Sequence, residues 1–417
     1  MNLIDRFFAR AVKRGHLSVA YADGTARTYG VADPQLPDVA IRLEQGVVAG
    51  ILRDPGLGAA EAFMDGRLVI EKGDILALLT LITANNRWED GGSVLSASPL
   101  RRLAGAVAHR IARINMAARS KRNVAHHYDL SGELYRLFLD SDLQYSCAYF
   151  TDPANTLEQA QADKKAHIAA KLALEPGMRV LDIGCGWGGM ALYLHEKTGA
   201  DVLGITLSEE QLAVARRRAL LAGVDRKVRF ELLDYRHLTG QFDRIVSVGM
   251  FEHVGTHFYR TFFAKCRELL TPEGTMLLHT IGRAGAPGVT DAFTQKYIFP
   301  GGYIPALSEI ARGYEGQRFF LTDVEVLRLH YALTLEHWYA RTRAAEREIT
   351  ALYDARFFRM WCFYLAGCIV SFRNGGLVNY QLQFSRSRDA LPLTRDYMGV
   401  AEVGLRAELP AREKQFA

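Results

Sequence analysis

The stretch VLDIGCGWGGM, residues 180–190, constrains this chain more than any other. An apolar run carrying Asp182 stops at a turn with four glycines in six positions, and a helical pattern follows. A strand that hands over abruptly to a helix needs such a turn. Gly184 and Gly186 let the backbone approach a ligand, and Gly188 lets the helix pack close to the strand. RVLDIG, DVLGITLS, VRFELLD, DRIVSVG and GTMLLHTI all read as buried strands, with helical segments between them. Strands alternating with helices predict an α/β fold with a doubly wound parallel sheet, whose ligand site lies at the carboxyl ends of the strands.

At 417 residues the chain exceeds one ordinary core, and a second domain is expected. In residues 1–100 the short alternating segments HLSVAYADG and VAIRLEQ precede DILALLTLITANN, a helix capped by Asp74, so a smaller N-terminal α/β domain is predicted there. Residues 101–122 hold seven Arg or Lys and no acid; they read as a solvated linker or as a docking surface for lipid phosphate. The main domain spans 123–395, with helical additions from about residue 322, and 396–417 reads as a frayed polar tail. The opening MNLIDRFFARAVKRG is a basic amphipathic helix, which either lies in a membrane interface or packs its phenylalanines on the domain behind it.

Apolar residues at 49% and charged residues at 23% describe a globular protein, and a net charge of +5 is too modest for a dedicated nucleic-acid binder. Five cysteines without zinc spacing predict a reduced, cytoplasmic protein with no metal. Asp5 and Arg6 interrupt the start, so no signal peptide is expected. The longest apolar run, 360–370, suits a buried helix and falls short of a membrane span.

The GxGxGG spacing differs from the pyrophosphate-binding GxGxxG, and no GxxxxGK[ST] phosphate loop occurs. LLDYRHL puts Asp234 and Tyr235 at the end of the third strand, where a carboxylate accepts from an exocyclic adenine amine. Together these features resemble the class I S-adenosylmethionine methyltransferases and their Rossmann-like sheet. The likeness implies that Asp182, Gly184, Gly186, Trp187 and Gly188 cradle the donor, with Asp234 and Tyr235 beside it. Such enzymes commonly carry an acid after the second strand. Here GITLSEEQ offers Thr206, Leu207 and Ser208 instead, and Gln211 one turn on takes over the ribose bond. Glu209 and Glu210 are first-turn helix charges.

A longer series of motifs is more specific. HHYDLSGELY, LQYSCAYF, LDIGCGWGG, GITLSEEQ, DRIVSVGMFEHVG, LLHTIG, YIFPGGYIP and HYALTLEHWY, in this order over about residues 121–390, resemble the cyclopropane-fatty-acyl-phospholipid synthases and their mycolic-acid relatives. The resemblance implies transfer of a methylene from S-adenosylmethionine to a cis double bond of an acyl chain in a membrane phospholipid. In that family bicarbonate is the base, held by positions that fall on Cys147, Glu252, His279, the amide of Ile281, and Tyr331. Tyr128, Tyr145 and Ser146 are expected at the donor, whereas His253, beside Glu252, reads as packing more readily than as support for the site. His126 and His127 are expected only to cap and pack. The resemblance also implies a homodimer docked peripherally on the bilayer at the inner face of the cell membrane, through its first helix and N-terminal domain.

The chemistry suits these residue types. An isolated double bond is a weak nucleophile and its methylation leaves a carbocation, so the site must exclude water, offer aromatic faces and remove a proton. Tyr145, Tyr149, Phe150 and Phe251 cluster around the motifs. Taken singly, Cys147 reads as a core cysteine, Glu252 as a helix cap, His279 as a core histidine and Tyr331 as a packing aromatic. Their joint occurrence within the motifs favours a site. Cys185 is a small residue in the turn, and Cys266, Cys362 and Cys368 are helix-face core. Alternative readings are a lipid methyltransferase making methyl-branched or furan-precursor chains, a small-molecule O- or N-methyltransferase, and a non-enzymatic lipid-binding module.

Overall fold

The computed structural model describes residues 2–91 and 131–406. The chain divides into two compact units, one of Met1–Phe138, Val289–Gly302 and Tyr331–Leu377, the other of Leu139–Gly288, Tyr303–His330 and Val378–Ala417. The basic segment 101–122, Tyr128 and the last residues of the tail lie outside the described residues.

The first unit carries a four-stranded sheet of β1 (His16–Tyr21), β2 (Ala26–Tyr29), β3 (Asp38–Leu43) and β4 (Leu68–Lys72) in the order β2-β1-β3-β4. Asp74 caps the helix Ile75–Ala84 as expected, accepting from the Ala77 amide at 2.8 Å. The first helix, Leu3–Ala11, starts at a reciprocal cap between Asn2 and Asp5. It buries Ile4, Phe8 and Ala11 against its own unit, while Arg6, Arg10 and Lys13 face outward. Phe8 thus packs on the domain behind the helix, while Leu3 stays exposed.

One boundary differs from the sequence expectation. Segments Val289–Gly302 and Tyr331–Leu377, expected inside a contiguous domain 123–395, cluster with the N-terminal elements. The cause is the apolar helix Ala355–Arg373, which packs on the helices Pro55–Met64 and Ile75–Ala84. Arg359 Nε reaches the Met64 carbonyl at 2.7 Å, and Phe363 meets Phe293 edge-on at 5.0 Å. By length and composition this 19-residue helix passes as a membrane span, but half of its apolar window is buried inside the protein. An apolar helix face does not name its partner, so motif order alone could not place it.

The second unit is built on a seven-stranded sheet: β5 (Arg179–Ile183), β6 (Asp201–Thr206), β7 (Val228–Leu232), β8 (Phe242–Val248), β9 (Leu270–Arg283), β10 (Phe320–Leu327) and β11 (Leu377–Ser385). The order is β10-β11-β9-β8-β5-β6-β7; β7, β6, β5, β8 and β9 are mutually parallel, and β10 pairs antiparallel with β11. Alternation sends Leu181, Ile183 and Ile245 into one core with the helices Tyr259–Leu269 and Leu307–Tyr314. It sends Val180, Val202 and Val246 into another, which includes residues of Leu157–Leu172, Gly189–Thr198 and Glu209–Leu221. Phe251 lies in the first core, stacked 4.1 Å from Tyr259, so it is a packing aromatic and not a face turned to a reacting cation.

Two expectations about the C-terminal part are corrected. The chain from about residue 322 is not wholly helical, because β10 and β11 add to the sheet. Along β11 Val378, Tyr380, Leu382 and Phe384 alternate with Asn379, Gln381 and Gln383, the period-two pattern of a strand, and both sets are buried. The expected tail is also partly ordered. Helix Asp396–Arg406 packs on Leu157–Leu172, and Tyr193 Oη donates to the Leu405 carbonyl at 2.9 Å.

Between these two helices, buried His167 faces Glu325 at 2.6 Å and Glu402 at 3.1 Å. Burial depresses its pKa, but the two carboxylates outweigh burial and the net direction is upward. Because the folded value lies above the unfolded one, the stabilisation is full below the unfolded pKa and lost as pH rises through the folded one. Accordingly, His167→Gln is expected to lower the melting temperature more at about pH 6 than at about pH 9. Thermal melts at both pH values check this, and an equal loss at both would refute it.

Candidate active site

The segment around Cys147 has no regular structure of its own, and the helix Leu157–Leu172 holds it. Asp140 starts a tight turn by accepting from the amides of Asp142 at 3.0 Å and Gln144 at 2.8 Å, and Leu143 between them takes a left-handed φ of 58°. A branched residue in that region stores backbone strain, which the surrounding bonds must hold. Gln161 Nε2 donates to the carbonyls of Gln144 and Ser146 at 3.3 and 3.0 Å, and the Tyr149 amide donates to the Ala160 carbonyl at 3.0 Å. The Tyr149 ring stacks on His167 at 4.1 Å and on His330 at 4.9 Å. Cys147 is buried and reduced, its thiol 3.3 Å from the Ala148 carbonyl.

Of the expected donor residues, those from Asp182 to Tyr235 gather at the carboxyl ends of β5, β6 and β7. At Gly188, φ is +85° and a Cβ would sit 2.7 Å from Phe230 and 3.1 Å from Ala215, so only glycine lets the chain approach β7 and the helix Glu209–Leu221 this closely. At Gly186 nothing lies within 4 Å of an added Cβ, which leaves the backbone open to a ligand. Asp182 is 2 % exposed, and its Oδ2 has no hydrogen-bond partner among the described residues. Burial pushes its pKa up to about 7, with Lys164 pulling the other way. Thr206 Oγ1 bonds Gln211 Oε1 at 3.2 Å, and Ser208 caps the next helix. Leu207 is exposed, whereas Trp187 is buried and its carbonyl accepts from Arg218 at 2.9 Å. The Asp234 carboxylate is gripped by Arg236, and the Tyr235 ring packs edge-on against Phe262. A buried carboxylate oxygen with no partner among the described residues, beside an open glycine backbone, fits a ligand that brings its own donors.

Gly189 shows how tightly the two parts are joined. An added Cβ would collide with Gln144 Nε2 and Asp142 Oδ2. Neither side chain can easily yield, since Asp142 is paired with Lys165 at 2.5 Å and with Arg218, and Gln144 is bonded in turn to Asp142 and Lys164. Gly189→Ala is therefore expected to displace the 142–146 segment and weaken S-adenosylhomocysteine binding by about tenfold or more. Calorimetric titration tests this, and unchanged affinity would refute it.

Of the residues expected at the base, Glu252 and Ile281 meet directly: Glu252 Oε1 accepts from the Ile281 amide at 2.6 Å. Glu252 Oε2 is buried and has no partner among the described residues. Burial raises the Glu252 pKa against the lowering effect of that amide. His279, two residues before Ile281 on β9, is held neutral by burial, with the cations Lys164 and Lys171 acting in the same direction. Its Nε2 lies 2.6 Å from the Asn379 amide and its Nδ1 3.2 Å from that of Gln381. A neutral imidazole has one donor and one acceptor, so one of these two amides presents its oxygen. The sequence reading missed both; strand-interior amides carry no motif signal. His253, beside Glu252, is held neutral by burial, its pKa pushed down to about 4. Tyr331 belongs to the other unit, where its ring packs on Trp338 and Phe372 at 5.8 and 4.9 Å.

A seven-stranded doubly wound sheet, a glycine turn after its first parallel strand and acids at the carboxyl edge define the class I Rossmann-like fold of S-adenosylmethionine-dependent C-methyltransferases. Residues 115–382 match the mycolic acid cyclopropane synthetase family, and the chain belongs to that family. It is 41% identical over 338 residues to the cyclopropane-fatty-acyl-phospholipid synthase of Escherichia coli K12, spanning 81% of this chain and 85% of that one. It is 34% identical to a tuberculostearic acid methyltransferase of Mycobacterium tuberculosis over 404 residues, 91% of this chain and 90% of that one. Among solved structures, the mycolic acid cyclopropane synthase CmaA1 complexed with SAH and CTAB superposes with a TM-score of 0.61 at 36% identity, covering 64% of this chain and 98% of that one.

Proposed function

We propose that this enzyme is a cyclopropane-fatty-acyl-phospholipid synthase in which bicarbonate is the base. The observation that carries the reading is the geometry at Glu252: one carboxylate oxygen anchored on the Ile281 amide, the other buried at the edge of the sheet with no partner among the described residues. Asp182, Gly184, Gly186, Trp187, Gly188, Thr206, Leu207, Gln211, Asp234 and Tyr235, with Tyr128, Tyr145 and Ser146, would hold S-adenosylmethionine, which supplies an electrophilic sulfonium methyl. The acyl double bond takes that methyl and becomes a carbocation. Closing the ring requires loss of a proton from the transferred carbon, and Cys147, Glu252, His279, the Ile281 amide and Tyr331 would hold a bicarbonate that supplies the base. The burial of Glu252 and His279 supports a site from which water, which would trap the cation, is excluded.

An acyl chain within a phospholipid implies a cytoplasmic enzyme associated peripherally with the bilayer at the inner face of the cell membrane, and membership of the family suggests a homodimer. The outward-facing Arg6, Arg10 and Lys13 would meet anionic headgroups, with the segment 101–122 adding charge. A second reading, methylation of a lipid chain without ring closure, draws support from the tuberculostearic acid methyltransferase relative. Incubating the protein with labelled donor and vesicles of unsaturated phospholipid, followed by mass analysis of the fatty acids, separates the two. A saturated ring with one added carbon is expected. An open-chain methyl branch, a methylated headgroup or no transfer would overturn the proposal.

A further inference from the structure

The helix Leu157–Leu172 carries three lysines that are buried or nearly so, and one of them is placed differently from the others. Lys165 pairs with Asp142, and Lys171 with Asp323 and Glu325. Lys164, at 0% exposure, instead directs its Nζ to two neutral oxygens, Gln144 Oε1 at 2.7 Å and Ser146 Oγ at 2.8 Å. Among the described residues it has no carboxylate at ion-pair distance, although Asp140, Asp142 and Asp182 lie within its field. Burying an ammonium without a contacting anion is costly, and an apolar side chain of the same length would serve folding better. The charge is therefore spent on the two groups it touches. Burial lowers its pKa to about 8, which leaves it charged at neutral pH.

An ammonium has only donors, so Ser146 Oγ must accept from Lys164, and the hydroxyl proton of Ser146 is then turned away from the helix. The Gln144 oxygen is used in the same way, and its Nε2 donates to Asp142 Oδ2 at 3.0 Å. We infer that Lys164 is a positioning residue of the donor site, which commits the Ser146 hydroxyl to donating toward an anionic acceptor, the amino-acid carboxylate of the bound donor. This rests on the reading that Ser146 faces that ligand.

The test compares two ligands on the full-length protein, S-adenosylhomocysteine, which has the amino-acid carboxylate, and 5′-methylthioadenosine, which lacks it. Lys164→Met is expected to weaken S-adenosylhomocysteine by about 10- to 100-fold, the size of a lost charge-assisted hydrogen bond. Methylthioadenosine affinity should stay as in the wild type, and the melting temperature should hold or rise. Ser146→Ala should lose the same discrimination, and the double variant should lose little more than either single one. Equal loss of both ligands, unchanged binding of both, or effects that multiply in the double variant would each overturn the inference. If Lys164→Met does not fold, Lys164→Gln is read by the same ligand ratio. Neither binding measurement needs an acyl acceptor or a base, so a wild type that makes no ring would sink the proposed reaction and leave this result standing.

Discussion

Glu252→Gln is expected to slow ring formation by orders of magnitude while leaving the fold and donor binding intact. The substitution is isosteric: its remaining oxygen still accepts from the Ile281 amide, now 2.6 Å away, so the local backbone keeps its partner. What changes is Oε2, a buried oxygen with no partner among the described residues, which becomes an amide with no negative charge. Because burial already raises the Glu252 pKa, removing the charge should not destabilise the protein. If the carboxylate holds the base that takes the proton, the turnover rate should fall by about 10²- to 10⁴-fold, the usual worth of positioned proton transfer. Fatty-acid analysis of vesicles treated with each protein measures this. Full ring formation by the variant would remove Glu252 from the base site.

Asp182→Asn should separate stability from function. The carboxyl is raised from 3.8 to about 7 by burial, so in the folded state it holds its proton more tightly than in the unfolded chain. Its contribution to stability therefore falls as pH rises through this window and is least favourable above about pH 7. The full shift corresponds to a cost on the order of 4 kcal/mol. The asparagine variant, which cannot ionise, is expected to melt higher than the wild type at about pH 8, with the difference shrinking toward about pH 4. At the same time S-adenosylhomocysteine affinity should fall by about 100-fold, as a charged acceptor for the ligand is lost. Thermal melts at the two pH values and calorimetry read the two effects separately. Unchanged affinity would remove Asp182 from the donor site, and a variant melting lower at high pH would refute the electrostatic argument.

The donor side was legible because its residues sit where local rules are strong. A strand, a glycine turn and a helix follow one another within VLDIGCGWGGM, and Gly188 has the close contacts that the spacing predicts. The motif series around Cys147, Glu252 and His279 likewise pointed to a family that residues 115–382 match. The helix Leu157–Leu172 was not legible as part of the site. In the sequence QADKKAHIAAK is an ordinary helix pattern, but folded it buries Gln161, Lys164, His167 and Lys171 against the cysteine segment, the sheet edge and the last helix. The amides of β11 were hidden for the same reason.

By itself the sequence determined the parallel α/β sheet, the glycine turn and the order of the chemical motifs, since these depend on periodicity and on residues adjacent in the chain. Only the tertiary structure decided that Ala355–Arg373 packs with the N-terminal helices, that β11 flanks His279 with Asn379 and Gln381, and that Lys164 reaches Ser146. Each of these joins groups far apart in sequence or sets polar atoms in the interior. Their pairing is fixed by hydrogen-bond satisfaction under burial, and the linear pattern carries no trace of it.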